Sequence, residues 1–167
     1  MRLRRLESEG IRDGVLAAAG TLSLKLGGPP VLTRSSSDGA VEVDPDRLAS
    51  PEDATRRSVY LLTRRAYNDS LLTVFDQPLI STTCQRRDAA AVPLQSLTML
   101  NSVLLLEQSS RLAERVAALA PGEPAAQVTT AFRLVLVRSA DTDEEAWCQA
   151  HLAEQAARYR AGGMDET

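Results

Sequence analysis

Two proline signals bracket the stretch that most constrains this chain. Pro93 stands where a first helical residue belongs, because its missing N–H is one that an opening turn leaves unpaired anyway. From there to about Ala120, Leu94, Leu97, Leu104, Leu105, Leu112, Val116 and Leu119 recur at the spacing of one helical face. Pro121-Gly122-Glu123-Pro124 then stops the pattern. This spacing predicts one long helix with an inward apolar side. Asn101 falls on that side, where a polar group is out of place.

A helix of this kind must bury its stripe against other elements, and composition says which. Aromatic residues make up 4% of 167 residues while hydrophobic residues reach 44%, so the core has to be built from Leu, Val and Ala. Packed helices suit such a core better than a β-sandwich, which draws on β-branched and aromatic side chains. The predicted fold is mainly α: a bundle-like helical domain with one or two short strands and long irregular loops. A net charge of −3 argues against a general nucleic-acid binder. No apolar run approaches the length that spans a bilayer. The opening MRLRRLESEG lacks the apolar core of a signal peptide, so an export signal is expected elsewhere if the protein is exported.

The rest of the chain divides at its turn residues. Segment 1–32 reads as a helix, carried by Leu3, Leu6, Ile11, Val15 and Ala18, followed by the Gly27-Gly28-Pro29-Pro30 turn. Gly10 and Gly14 each weaken that helix, and their spacing suggests close approach of another element. Segment 33–57 is polar and reads as a loop or linker, with Val41 and Val43 as a candidate edge strand. Segment 58–163 is the helical core. It begins with the best strand candidate, Ser58 to Thr63, and continues into a short helix at Ser70 to Phe75 capped by Asn68 or Asp69. After the long helix come a helix from about Ala125 to Val137, with Val128, Phe132, Val135 and Leu136 inward, and a last one from Thr142-Asp143-Glu144-Glu145, a capping-box pattern. Residues 164–167 read as a tail.

Three ordered motifs, RRSVYLLTRRAYNDSLLTVFDQP, CQRRDAAAVPLQSLTMLN and FRLVLVRSADTDEE, resemble the C-terminal half of the domain of unknown function 1553, common in planctomycete and related bacteria. The opening RRLESEGIRDGVLAAAGTL is similar to that domain's middle section. Asp88 stands where the family tends to have Asn, and Ser96 where it tends to have Ala. The resemblance implies a large exported, extracytoplasmic protein that carries a cytochrome-c-like domain upstream. Any haem would belong to that upstream domain, since no haem-attachment motif occurs in this chain. The family's N-terminal part, absent here, is then the expected partner.

Chemistry-bearing residues crowd between Phe75 and Asn101. In one reading Asp76 is an acid or base, Arg86 and Arg87 hold an anionic or sugar-like ligand, and Gln95 and Asn101 add hydrogen bonds. In the other, favoured here, the same residues pin an irregular loop to the domain. Cys84 lacks a nearby base for nucleophilic work, so Cys84 and Cys148 are expected as buried thiols or as the halves of one disulfide. His151, Cys148, Glu144 and Glu145 share one helical edge but are too few for a firm metal site. Arg56-Arg57 and Arg64-Arg65 can bind phosphate, although pairing with carboxylates is the better expectation in an acidic chain. Three functions follow: a helical binding or scaffold module, an enzyme acting on carbohydrate or sulfated polymer centred on Asp76 and the arginines, or a truncated gene product without a separate role.

Overall fold

A computed structural model describes residues 5–37, 39–64, 68–78 and 92–162. The chain is mainly α and forms two compact units, Met1–Arg111 and Leu112–Thr167. In the first, α1 (Ser8–Ala19) is followed by a two-stranded antiparallel hairpin, β1 (Thr33–Ser35) and β2 (Val41–Val43). Then come three 3-10 turns, the five-residue α2 (Ser70–Val74), α3 (Pro93–Asn101) and the start of α4 (Val103–Leu119). The second unit holds the end of α4, α5 (Pro124–Leu136) and α6 (Thr142–Ala161).

Helix α1 buries Ser8, Arg12, Leu16 and Ala19, a single face at spacings of four and three. Half-buried Ile11 and Val15 join Leu71, Phe75 and Leu105 in one apolar cluster. The stripe expected from Leu6 is therefore rotated: Leu6 is exposed and Arg12 is inside. Gly10 and Gly14 lie off the buried face. Among the described residues a Cβ at Gly14 would meet nothing, and one at Gly10 would meet only Leu6 of the preceding turn, so no element approaches there. A second cluster joins Val31, Leu61 and Leu72, with Val43, Leu48 and Tyr60 packed on it. Helix α2 thus feeds both clusters, Leu72 into one and Leu71 with Phe75 into the other.

In segment 33–57 the candidate strand at Val41 and Val43 is present, pairing Thr33 with Val43 and Ser35 with Val41. The polar remainder carries local structure beyond a plain loop: the Asp44 side chain caps one 3-10 turn, and a Ser50–Asp53 capping box starts another. Two other sequence expectations change. Ser58 to Thr63 is not a strand. Ser58–Tyr60 is a 3-10 turn, and only Leu61 makes an isolated parallel bridge, to Val31. Asp13 captures the backbone N–H of Ser58, and the Tyr60 ring lies 3.8 Å under the Arg56 guanidinium, so local partners override the strand propensity. The long helix is also broken, at Ser102, whose ψ of 129° leaves the helical region. Next to that break the Asn101 amide donates to the Leu97 carbonyl at 2.9 Å, competing with the ladder for the last-turn acceptor.

In the second unit Val116 and Val128 are the buried hydrophobic residues among those described, while Val135 and Leu136, expected inward, are half exposed. The cap of α6 is one residue earlier than the sequence pattern places it. Asp141 accepts from the N–H groups of Asp143 and Glu144, and Glu144 returns a bond to the Asp141 N–H. Val137 ends α5 with φ 57°, a left-handed conformation that costs a β-branched residue.

Candidate functional site

The arginines that the sequence leaves on polar faces form the buried frame of the first unit. Arg12 is 1% exposed. Its Nη1 donates to the Arg56 carbonyl at 2.8 Å and to Ser58 Oγ at 3.4 Å, and its Nη2 to the Ala54 carbonyl at 3.2 Å. Burial lowers its pKa, against the opposing pull of Asp69 and Asp13. Asp13 accepts from both the backbone and the hydroxyl of Ser58. Arg56, equally buried, donates to the carbonyls of Pro29 and Gly27 and covers the Tyr60 ring. These guanidiniums tie loop carbonyls to the frame, of which the Arg56 carbonyl is bonded in a buried contact and those of Ala54, Gly27 and Pro29 in part-buried ones. Spacing held a signal for Arg12, since it continues the row Ser8, Leu16, Ala19; nothing in the sequence marked its acceptors, which lie more than forty residues away.

Asp69 caps α2 from within this frame, accepting the Leu72 N–H at 3.1 Å. Its pKa is raised, first by burial and then by Glu42, against the bonds it accepts and the charge of Arg12.

Of the six residues crowded between Phe75 and Asn101, the structure brings two together. Asp76 follows α2 with φ 62°; its N–H donates to the Thr73 carbonyl at 3.1 Å and that of Gln77 to the Leu72 carbonyl at 3.0 Å. That is a Schellman closure, with a short polar residue in the left-handed position that glycine usually fills. Arg5 Nη2 donates to Asp76 Oδ2 at 2.7 Å and to the Phe75 carbonyl at 3.0 Å. Gln95, buried on α3, donates to the Val74 carbonyl at 3.1 Å. Asp76 and Gln95 therefore both serve the C-terminal end of α2. Asn101 sits at the far end of α3, exposed and bonded within its own helix. Cys84, Arg86 and Arg87 lie outside the described residues.

Helix α3 is inverted with respect to the expected amphipathic pattern. Its buried residue is polar, Gln95, whereas Leu94, Leu97 and Leu100 are 55%, 57% and 72% exposed along one side. Asn101 shares that side, so its polarity among leucines is no longer anomalous. The sequence shows an amphipathic face but not which way it points, and the Gln95–Val74 bond decides it.

Elsewhere, Cys148 is a half-buried free thiol, and His151 is exposed with its ring stacked near Trp147, centroids 6.2 Å apart. Among the described residues no group of three or more His, Cys, Asp or Glu side chains is placed to hold a metal. Arg57 lies exposed near Asp13, at 3.8 Å, and Arg65 falls outside the described residues. A shallow cleft of about 190 Å³ is lined by Pro29, Val31, Leu48 and Asp53 among others, and its carboxylate is paired with Lys25 at 3.1 Å. Among the described residues no helix is long and apolar enough to cross a membrane.

Comparison with protein families matches residues 1–152 to the family described as protein of unknown function, DUF1553. No curated protein and no solved structure matches the chain. With the match running from the first residue into α6, the chain belongs to the DUF1553 family of proteins of unknown function.

Proposed function

We propose that this chain is a non-catalytic helical docking module, the C-terminal part of a larger exported multidomain protein whose upstream portion it helps to hold. The observation that carries the reading is the inversion of α3: a leucine side turned outward and a glutamine turned in. Exposed apolar side chains gain free energy only when something covers them, and a row of them on one helix is the usual mark of a surface meant to be covered. The open side of α1 at Gly10 and Gly14 adds a second place where another backbone can come close. Two of the residues considered for a ligand site fit the same reading, because Asp76 and Gln95 both serve the end of α2; Arg86 and Arg87 lie outside the described residues. Export and a cytochrome-c-like neighbour are what the family resemblance implies for the longer protein.

The test is binding of a hydrophobic dye by the isolated chain at submicromolar concentration. The parent is expected to bind, and the variant combining Leu94→Gln, Leu97→Gln and Leu100→Gln to bind distinctly less while keeping its helical circular dichroism. Absence of dye binding by the parent would sink the reading.

A further inference from the structure

We infer that the turn between α5 and α6 is a hinge: it straightens into one continuous helix, and α6 of each chain then packs on α5 of a second copy in a swapped dimer. This is independent of the α3 surface and of the docking reading.

Elsewhere in the chain, helix ends carry residues that forbid continuation. Gly20 follows α1, and Pro121-Gly122 follows α4. From Ala125 to Ala161 there is neither glycine nor proline, so nothing in the covalent chain stops α5 from running on into α6. The turn is made instead by Val137, with φ 57° and ψ 28°. A β-branched residue avoids this left-handed conformation, and straightening releases the strain.

Little holds the hairpin closed. Among the described residues α6 buries none of its side chains, and α5 buries Val128. The contacts that close the turn are polar, local and exposed. Asp141 accepts from the N–H groups of Asp143 and Glu144. Arg138 donates twice to Glu144, each time at 2.6 Å, and lies 5.3 Å from the centre of the Phe132 ring. Cap and ion pair favour the closed turn; the Val137 strain and the missing ladder bonds favour the straight helix. Closed and open forms thus differ by a few small opposing contributions, and a short strained hinge of that kind invites swapping.

The same contacts name the partner. A straightened chain uncovers the faces that α5 and α6 turn toward each other, and a second straightened copy covers both about a two-fold axis. The former turn then lies where the two long helices cross. Val135, Leu136 and Val137, all at least half exposed in the closed hairpin, stand at that point. Swapping therefore removes apolar surface from water that the hairpin leaves outside.

Energy transfer within one chain reads the opening. In chains carrying Cys84→Ser and Cys148→Ser, donor and acceptor dyes are attached through Ala126→Cys and Ala157→Cys, both at exposed positions. These positions lie within about 20 Å in a hairpin of packed helices and roughly 47 Å apart along one helix that rises about 1.5 Å per residue. A trace of labelled chain is mixed with unlabelled chain from about 1 to about 500 µM, a span that brackets a dissociation constant of tens of micromolar. Transfer should fall as concentration rises, with helical circular dichroism retained and light scattering reporting a dimer. Val137→Gly, in labelled and unlabelled chains alike, should raise the midpoint at least about tenfold, since glycine relieves the closed turn and weakens the open helix at both hinges. Asp141→Ala should lower it about tenfold, because that cap exists only in the closed turn. Constant transfer at all concentrations overturns the inference. A dimer with undiminished transfer overturns it too, being a contact between closed hairpins. The same holds for a fall in transfer accompanied by loss of helix, or for the two variants moving the midpoint in one direction.

Discussion

Replacing Arg12 by methionine keeps most of the side-chain volume and removes the guanidinium, which makes it the sharpest probe of the buried frame. Two loop carbonyls lose their donor, that of Arg56 at 2.8 Å in a buried contact and that of Ala54 at 3.2 Å in a part-buried one, while Arg12 itself is 1% exposed. Leaving a buried carbonyl unpaired costs about 1–3 kcal/mol. The charge of Arg12 also faces the Asp69 and Asp13 carboxylates, and stripping one partner from a buried ionic group adds to the loss. The sum is a destabilisation of about 3–5 kcal/mol, a large part of what a domain of this size has. Urea unfolding followed by circular dichroism measures it, with Arg57→Met as the control: Arg57 is half exposed and 3.8 Å from Asp13, so its loss should cost at most about 1 kcal/mol. A loss under about 1 kcal/mol for Arg12→Met would refute the claim that this guanidinium holds the loops.

Further outcomes follow from single positions. Gly14→Ala should stabilise the isolated chain by about 1 kcal/mol, because the site is helical and a Cβ there meets nothing; a destabilised variant in urea melts would mean another element lies against it. Val137→Gly should raise the thermal midpoint, since it relieves about 1 kcal/mol of left-handed strain at an 88% exposed residue; a lower midpoint would contradict the strain. Glu144, held down to about 2 by two hydrogen bonds from Arg138 and one from the Asp141 N–H, contributes stability that is present above its unfolded value near 4.5. That contribution is lost as pH falls from 4.5 toward 2, so helicity of the α5–α6 hairpin should fall in that window, and in Glu144→Gln the window should disappear. Asp69 works in the opposite sense: its raised value means its contribution is present at low pH and lost as pH rises through that value.

The helices were legible in the sequence because their signals are local. Pro93 opens α3, Asp69 caps α2, Pro121 to Pro124 separates α4 from α5, and Gly162 follows the end of α6. What was illegible depends on partners distant in sequence. Ser58 to Thr63 has the residues of a strand, but Asp13 captures Ser58 from forty-five residues away. Arg12 reads as solvated until the carbonyls of Ala54 and Arg56 enclose it. Segment 33–57 reads as a loop or linker because polar residues signal exposure, whereas Asp44 and Asp53 are buried caps. The candidate site shows the same division. Proximity of Asp76 and Gln95 was expected from their crowding. Their shared role at the end of α2 depends on Arg5 and Val74, which no spacing rule connects to them.

The docking surface depends on the direction in which α3 faces, and thiol labelling reads that directly. In chains carrying Cys84→Ser and Cys148→Ser, a single thiol is introduced by Leu97→Cys, Leu100→Cys or Gln95→Cys, and its modification is timed at submicromolar protein. The outward leucine positions should react within about tenfold of the denatured chain, and the Gln95 position should be slowed about 100-fold or more, because it opens only with the fold around α2. Rapid reaction at position 95 with protection at 97 and 100 would mean the helix packs its leucines inward, and the docking surface would not exist.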